Sequence, residues 1–148
     1  MSDREAHDLA DRALGLASNG LLTDGVRILT RLVRDGDAER AYGLCCRFAE
    51  AGRKALVTMA GHHAPIFENG EQWIDGRFSP EDPNDPLGDF SVRFLVAYGN
   101  GQTDTARAHY DALLAAGTDS GIRGVGRLFG DIAALCWAAT EQQEDRAG

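Results

Sequence analysis

A chain of 148 residues with 43% apolar and 26% charged side chains can fold as one globular domain with a real core, and its formal charge of −8 opposes binding to nucleic acid. No stretch of about 18 apolar residues occurs, which excludes a membrane-spanning helix. The polar, acidic start MSDREAHDLADR lacks the basic-then-apolar order of a secretory leader, so a cytoplasmic location is expected.

The segment from Met1 to Ala60 reads as three helices. In DREAHDLADRALGLAS, Leu9, Ala13, Leu14, Leu16 and Ala17 share one broad face, and Asn19-Gly20 has the form of a helix C-cap. TDGVRILTRLVRDG takes Thr23 or Asp24 as its N-cap, carries Val26, Leu29, Leu32 and Val33, and stops at Gly36. DAERAYGLCCRFAEAGRKALVTMAG keeps Ala41, Cys45, Phe48, Ala49, Gly52, Leu56 and Met59 at helical spacing, with Asp37 as cap and Gly61 and Pro65 as its close. In LLTDGVRILTRLV apolar residues fall on more than one face, a pattern that suits self-association, with a homodimer as its simplest form.

Residues 61–86 break this grammar. They hold all four prolines and six of the 23 acidic residues, against one arginine. Asn69-Gly70 and Asp75-Gly76 are hairpin-turn signals, and turns at both would align Ile66, Trp73 and Phe78 across a small β-meander. Glu68 opposite Glu71 disfavours that register, and two irregular turns around a docked Trp73 are the alternative. Either way the segment is expected to act as an acidic connector, with Trp73 an anchor if buried and a recognition residue if exposed. His62 and His63 are adjacent and diverge, without an HExxH or zinc spacing, so they read as helix-end or surface residues. DPNDPLGDF departs from a calcium loop, which needs Gly and Glu where Leu87 and Arg93 stand; Asp85 is expected to cap the next helix.

Helical spacing resumes beyond Pro86. LGDFSVRFLVAYGNG carries Phe90, Phe94, Leu95 and Tyr98, and TDTARAHYDALLAAG carries Ala106, Tyr110, Leu113 and Leu114. DSGIRGVGRLFGDIAALCWAATEQ carries Ile122, Val125, Phe129, Ile132, Leu135, Cys136 and Ala139. Gly121, Gly124, Gly126 and Gly130 each lower helix propensity by roughly 1 kcal/mol, which points to close helix approach or to a late or kinked start. Sliding the chain along itself until Asp8 lies on Asp89 also superposes Arg12 on Arg93, Leu14 on Leu95 and Asn19-Gly20 on Asn100-Gly101. The same shift brings Leu32 onto Leu113, Gly36 onto Gly117, Gly43 onto Gly124 and Phe48 onto Phe129, which suggests an internal duplication.

FLVAYGNGQTDTARAHYDALLAAG, residues 94–117, resembles a tetratricopeptide-type helical hairpin: aromatic and small residues late in one helix, a Gly turn, then Ala, Tyr and Ala-Leu in the next. Residues 17–36 resemble it more loosely. The spacing is one residue short, no proline follows the second helix, and the family's period of about 34 residues is not repeated. The resemblance implies a helical-repeat scaffold that binds protein partners, and it supplies no catalytic residue.

Chemistry-bearing motifs are sparse. Cys45, Cys46 and Cys136 make an odd number without CxxC and read as small buried thiols. His109 stands beside Tyr110 and Asp111 without a nucleophile at usable spacing, and GIRGVGRLFG continues a helical stripe instead of cradling phosphate. Fourteen of the 15 basic residues are arginine, which reads as genome composition, not phosphate recognition. The expected molecule is a single all-α domain: a three-helix unit at 1–60, an acidic connector at 61–86 and a second unit at 87–148. The expected function is a non-enzymatic binding or adaptor module for a protein partner or a second copy of itself, with no nucleic acid, membrane, metal or cofactor. Its candidate surface comprises Trp73, Phe78, Phe90, Tyr98, His62, His63 and His109. The competing expectation is a small-molecule binder, or an enzyme without a recognisable motif, whose pocket between the units uses these same aromatics and histidines.

Overall fold

The computed structural model describes residues 1–60 and 84–147, which are all-α: α1 (Asp3–Ser18), α2 (Leu22–Asp35), α3 (Ala38–Ala60), α4 (Pro86–Gly99), α5 (Thr103–Ala115) and α6 (Thr118–Ala147). No strand occurs among the described residues. The expected meander of Ile66, Trp73 and Phe78 lies outside them, as do His62 and His63.

Local chemistry fixes most helix ends. The Ser2 hydroxyl accepts from the Glu5 amide at 3.1 Å, the Asp37 carboxylate from Arg40 N at 2.9 Å, and the Asp85 carboxylate from Gly88 N at 3.1 Å. Asp85 precedes Pro86, whose missing N–H costs nothing at a first helical position. Gly20 (φ 88°) and Gly101 (φ 76°) terminate α1 and α4 in the left-handed region. Behind them Leu21 N returns to Leu16 O and Gln102 N to Ala97 O, both at 2.9 Å, the 6→1 bond that reverses a chain after a helix. This turn corrects one sequence expectation. It delivers the chain straight into α2 at Leu22, so Leu21 holds the cap position without a side-chain bond, and Thr23 and Asp24 lie inside the first turn. Likewise α6 starts at Thr118, before its glycines, so the run does not delay the helix.

The helices bury one continuous core. α1 and α2 form a hairpin, α4 and α5 form another, and α3 lies along α6 between them. α1 also packs on α6 and α4 on α3, so side chains from both ends of the sequence interleave in one apolar cluster. Phe48 and Phe129 meet edge-on at its centre, ring centroids 5.2 Å apart, and both are almost wholly buried. Burying each such ring contributes roughly 1.5–3 kcal/mol. Two of the α6 glycines serve close approach: a Cβ on Gly124 would strike Leu113, and one on Gly121 would lie 2.7 Å from Leu114 Cδ2, whereas Gly126 and Gly130 face open space. Gly25 does the same for α2, where a Cβ would sit 2.5 Å from Ala13 O and 3.2 Å from the Phe129 ring.

Candidate functional site

The turn between α1 and α2 carries an apolar corner. The Trp137 ring, in the second half of α6, rests on Gly20, so that a Cβ there would be 3.3 Å from its Cζ3. Trp137 nevertheless remains 43% exposed; Leu21 and Leu22, which follow Gly20 in the chain, are each 50% exposed, and Val26, one turn along α2, is 42% exposed. The cause is the rotation of α2. Its inward stripe is Gly25, Leu29 and Leu32, fixed by the contact of Gly25 with α1 and α6, and at about 100° per residue this turns Leu22 and Val26 to the flank. Among the described residues the only other large apolar side chains this exposed are Met1 and Ile122.

The outer face of α2 is basic. Arg27, Arg31 and Arg34 are exposed and follow one another at helical spacing. None makes an ion pair with a described residue, and the same holds for Arg4 and Arg12 of α1. The described arginines from Arg40 to Arg127 differ. Arg47 holds Asp11 at 2.6 Å, Arg53 pairs with Glu50, Arg93 with Asp89 at 2.9 Å, and Arg127 with Asp85 at 3.0 Å and Asp131 at 3.3 Å.

A second group of polar side chains lies where α3 meets α4 and α5. The Arg107 guanidinium stacks 4.6 Å from the Tyr42 ring centroid and donates to Glu39 and Asp111, while the Tyr110 hydroxyl donates to Ala38 O at 2.9 Å. Burial, followed by a hydrogen bond with Cys46, pushes the Tyr42 phenol up to about 12; burial pushes Tyr110 up to about 12 as well. Tyr98 lies further along the same seam, raised by burial and by the charge of Glu50, whose own carboxyl is held below its usual range by Arg53. Each partner here is already engaged by another, so the cluster acts as a clamp of α5 on α3. The thiols are not activated: burial raises Cys45, Cys46 and Cys136 alike.

An open cleft of about 680 Å³ separates the start of α1 from the α2–α3 turn, lined by Asp3, His7, Asp35, Asp37, Glu39 and Arg40. Arg40 is committed to Met1 O at 2.9 Å and to Asp3 at 3.5 Å, and Asp37 to its capping bond. No group of three or more His, Cys, Asp or Glu among the described residues is placed to hold a metal ion.

Three of the residues singled out from sequence, Phe90, Tyr98 and His109, fall among the described residues. Phe90 is in the core, its ring 5.6 Å from that of Phe94, so it packs helices and offers no face to a partner. Tyr98 is half-buried in the α3–α4 seam and His109 half-buried on α5. His62, His63, Trp73 and Phe78 lie outside the described residues. Sequence reasoning missed Trp137 and the arginines of α2. A signal for the latter was present: in the register that lays Asp8 on Asp89, Arg27, Arg31 and Arg34 fall on Ala108, Ala112 and Ala115.

No known family, curated protein or solved structure matches the chain in comparison. Among the described residues no helix is long and apolar enough to cross a membrane.

Proposed function

We propose that the chain is a non-enzymatic binding module that presents the corner of Leu21, Leu22, Val26 and Trp137 to a protein partner. One observation carries the reading: a tryptophan seated on a glycine turn with 43% of its surface left open, beside a turn whose next two residues, Leu21 and Leu22, are also exposed. Tryptophan at the centre of an apolar patch is the residue type most enriched among those that dominate binding energy. We further infer that the helices are two copies of a three-helix unit, joined by the acidic connector as a helical-repeat scaffold. This accounts for the end of α1 at Ser18 and of α4 at Gly99, and for the starts of α2 at Leu22 and α5 at Thr103, which recur at one common offset. It also accounts for the contact of Phe48 with Phe129, which occupy the same place in each copy.

The test is affinity capture from native cells with the wild-type chain and with Trp137→Ala, beside sedimentation of the pure protein. The reading expects a captured protein to be lost with Trp137→Ala while the helix signal is retained. Concentration-dependent dimerisation lost in the same variant makes the partner a second copy. Stabilisation of several degrees by one metabolite, unaffected by Trp137→Ala, favours the small-molecule reading instead.

A further inference from the structure

From the basic face of α2 we infer the chemistry of the partner: a short acidic, amphipathic segment whose carboxylates meet Arg27, Arg31 and Arg34 while an apolar side chain enters the corner at Trp137. This rests on the binding-module reading above. α2 and α5 begin at matching places, Leu22 and Thr103, each following a glycine with positive φ and packing as the second arm of a hairpin. On α5 the exposed positions matching the three arginines are Ala108, Ala112 and Ala115, and Leu21 and Leu22 are matched by Gln102 and Thr103. A helix in this setting therefore requires neither the arginines nor the exposed leucines. Val26 is matched by Arg107, which closes α5 onto α3 through Tyr42 and Glu39. The α5 side is sealed by its own side chains; the α2 side is left open.

Charge selects the occupant. Arg27 to Arg34 spans seven helical steps, about 10 Å, so carboxylates one turn apart on a partner helix fall opposite them. Asp24 and Asp35 are the acidic residues of α2 itself, and neither bonds to an arginine there. Charges act over about 8 Å at physiological salt, so a short acidic segment experiences this stripe, whereas a long polyanion reaches past it to a surface whose total charge is −8. A bilayer is disfavoured by area: Leu29 and Leu32 are used in the core, leaving Leu22 and Val26 as the large apolar side chains α2 could insert.

The experiment is fluorescence anisotropy with a labelled amphipathic peptide of about five helical turns, leucine on one face and glutamate on the other. A peptide with glutamine for glutamate, a DNA duplex and phosphatidylserine vesicles are the comparison ligands. The protein variants are Trp137→Ala and the triple variant Arg27→Ala, Arg31→Ala, Arg34→Ala, which installs the residues α5 already tolerates; circular dichroism verifies their helicity. The inference expects the glutamate peptide to bind, to weaken with added salt, and to lose at least about tenfold affinity in each variant. Equal affinity of the wild-type chain and the triple variant overturns it, and so does tighter arginine-dependent binding of the duplex or the vesicles. A glutamine peptide bound as tightly as the glutamate one, yet lost in Trp137→Ala, overturns the acidic partner and leaves the module standing. Binding of neither peptide also overturns it, and capture with Trp137→Ala then decides the module alone.

Discussion

Gly25 and Gly126 sit inside helices for opposite reasons. Gly25 lets α2 approach α1, with Ala13 O only 2.5 Å from where a Cβ would be, whereas Gly126 has nothing within 4 Å. Gly25→Ala is expected to destabilise the chain by about 1–3 kcal/mol because the obstacle is backbone. Gly126→Ala is expected to stabilise it by about 0.5–1 kcal/mol through helix propensity; urea unfolding reads both. The three tyrosines give a second residue-scale expectation. All are raised above their ordinary value, Tyr42 and Tyr110 to about 12, chiefly because burial disfavours the phenolate. The unfolded chain begins to release these protons near pH 10, while the folded chain keeps them. Their contribution is thus full below pH 10 and is lost as pH rises towards 12. Tyrosinate absorbance should lag behind that of free tyrosine until unfolding and then jump. A smooth titration near 10 would mean the rings are solvated.

At the scale of the helices, the two chain reversals after α1 and α4 are near copies that differ in one contact. Gly20 carries the Trp137 ring and Gly101 carries nothing within 4 Å. Alanine at either position forces a left-handed conformation that costs about 1–2 kcal/mol, and Gly20→Ala must also displace the indole. Its loss of melting temperature should exceed that of Gly101→Ala, the difference measuring how firmly Trp137 is seated. The helices themselves were legible in the sequence because their apolar residues keep the helical period between capping signals such as Asp37, Asp85 and Asn19-Gly20. The start of α2 was not, since a backbone bond from Leu21 to Leu16 sets it and side chains do not. The face of each helix that remains open was equally hidden. Periodicity marks Phe90 and Ile122 alike as stripe residues, and only the packing of neighbouring helices leaves the first inside and the second 44% exposed. Arg27, Arg31 and Arg34 were lost in a chain whose basic residues are nearly all arginine, until the ion pairs made by arginines such as Arg47, Arg107 and Arg127 set apart the unpaired ones of α1 and α2 among the described residues.

The whole molecule holds together across its middle. Phe48 and Phe129 bury one another, and α1 and α4 each pack on a long helix from the other end of the chain. A fragment of residues 1–60 lacks Phe129, the ring that Phe48 packs against in the intact chain, where Phe48 is almost wholly buried. Alone it is expected to melt without a cooperative transition, and the full chain to melt in one. Calorimetry of both checks this; a sharp transition in the fragment would show two independently stable halves. The meeting of Phe48 with Phe129 also restricts how such a chain can drift. Each ring is the floor on which the other stands, so a larger residue on one side needs a smaller one opposite, and enlarging both leaves no room for either. Variation at these two places should come as matched pairs of unequal size, a signature visible in any library that randomises both codons together.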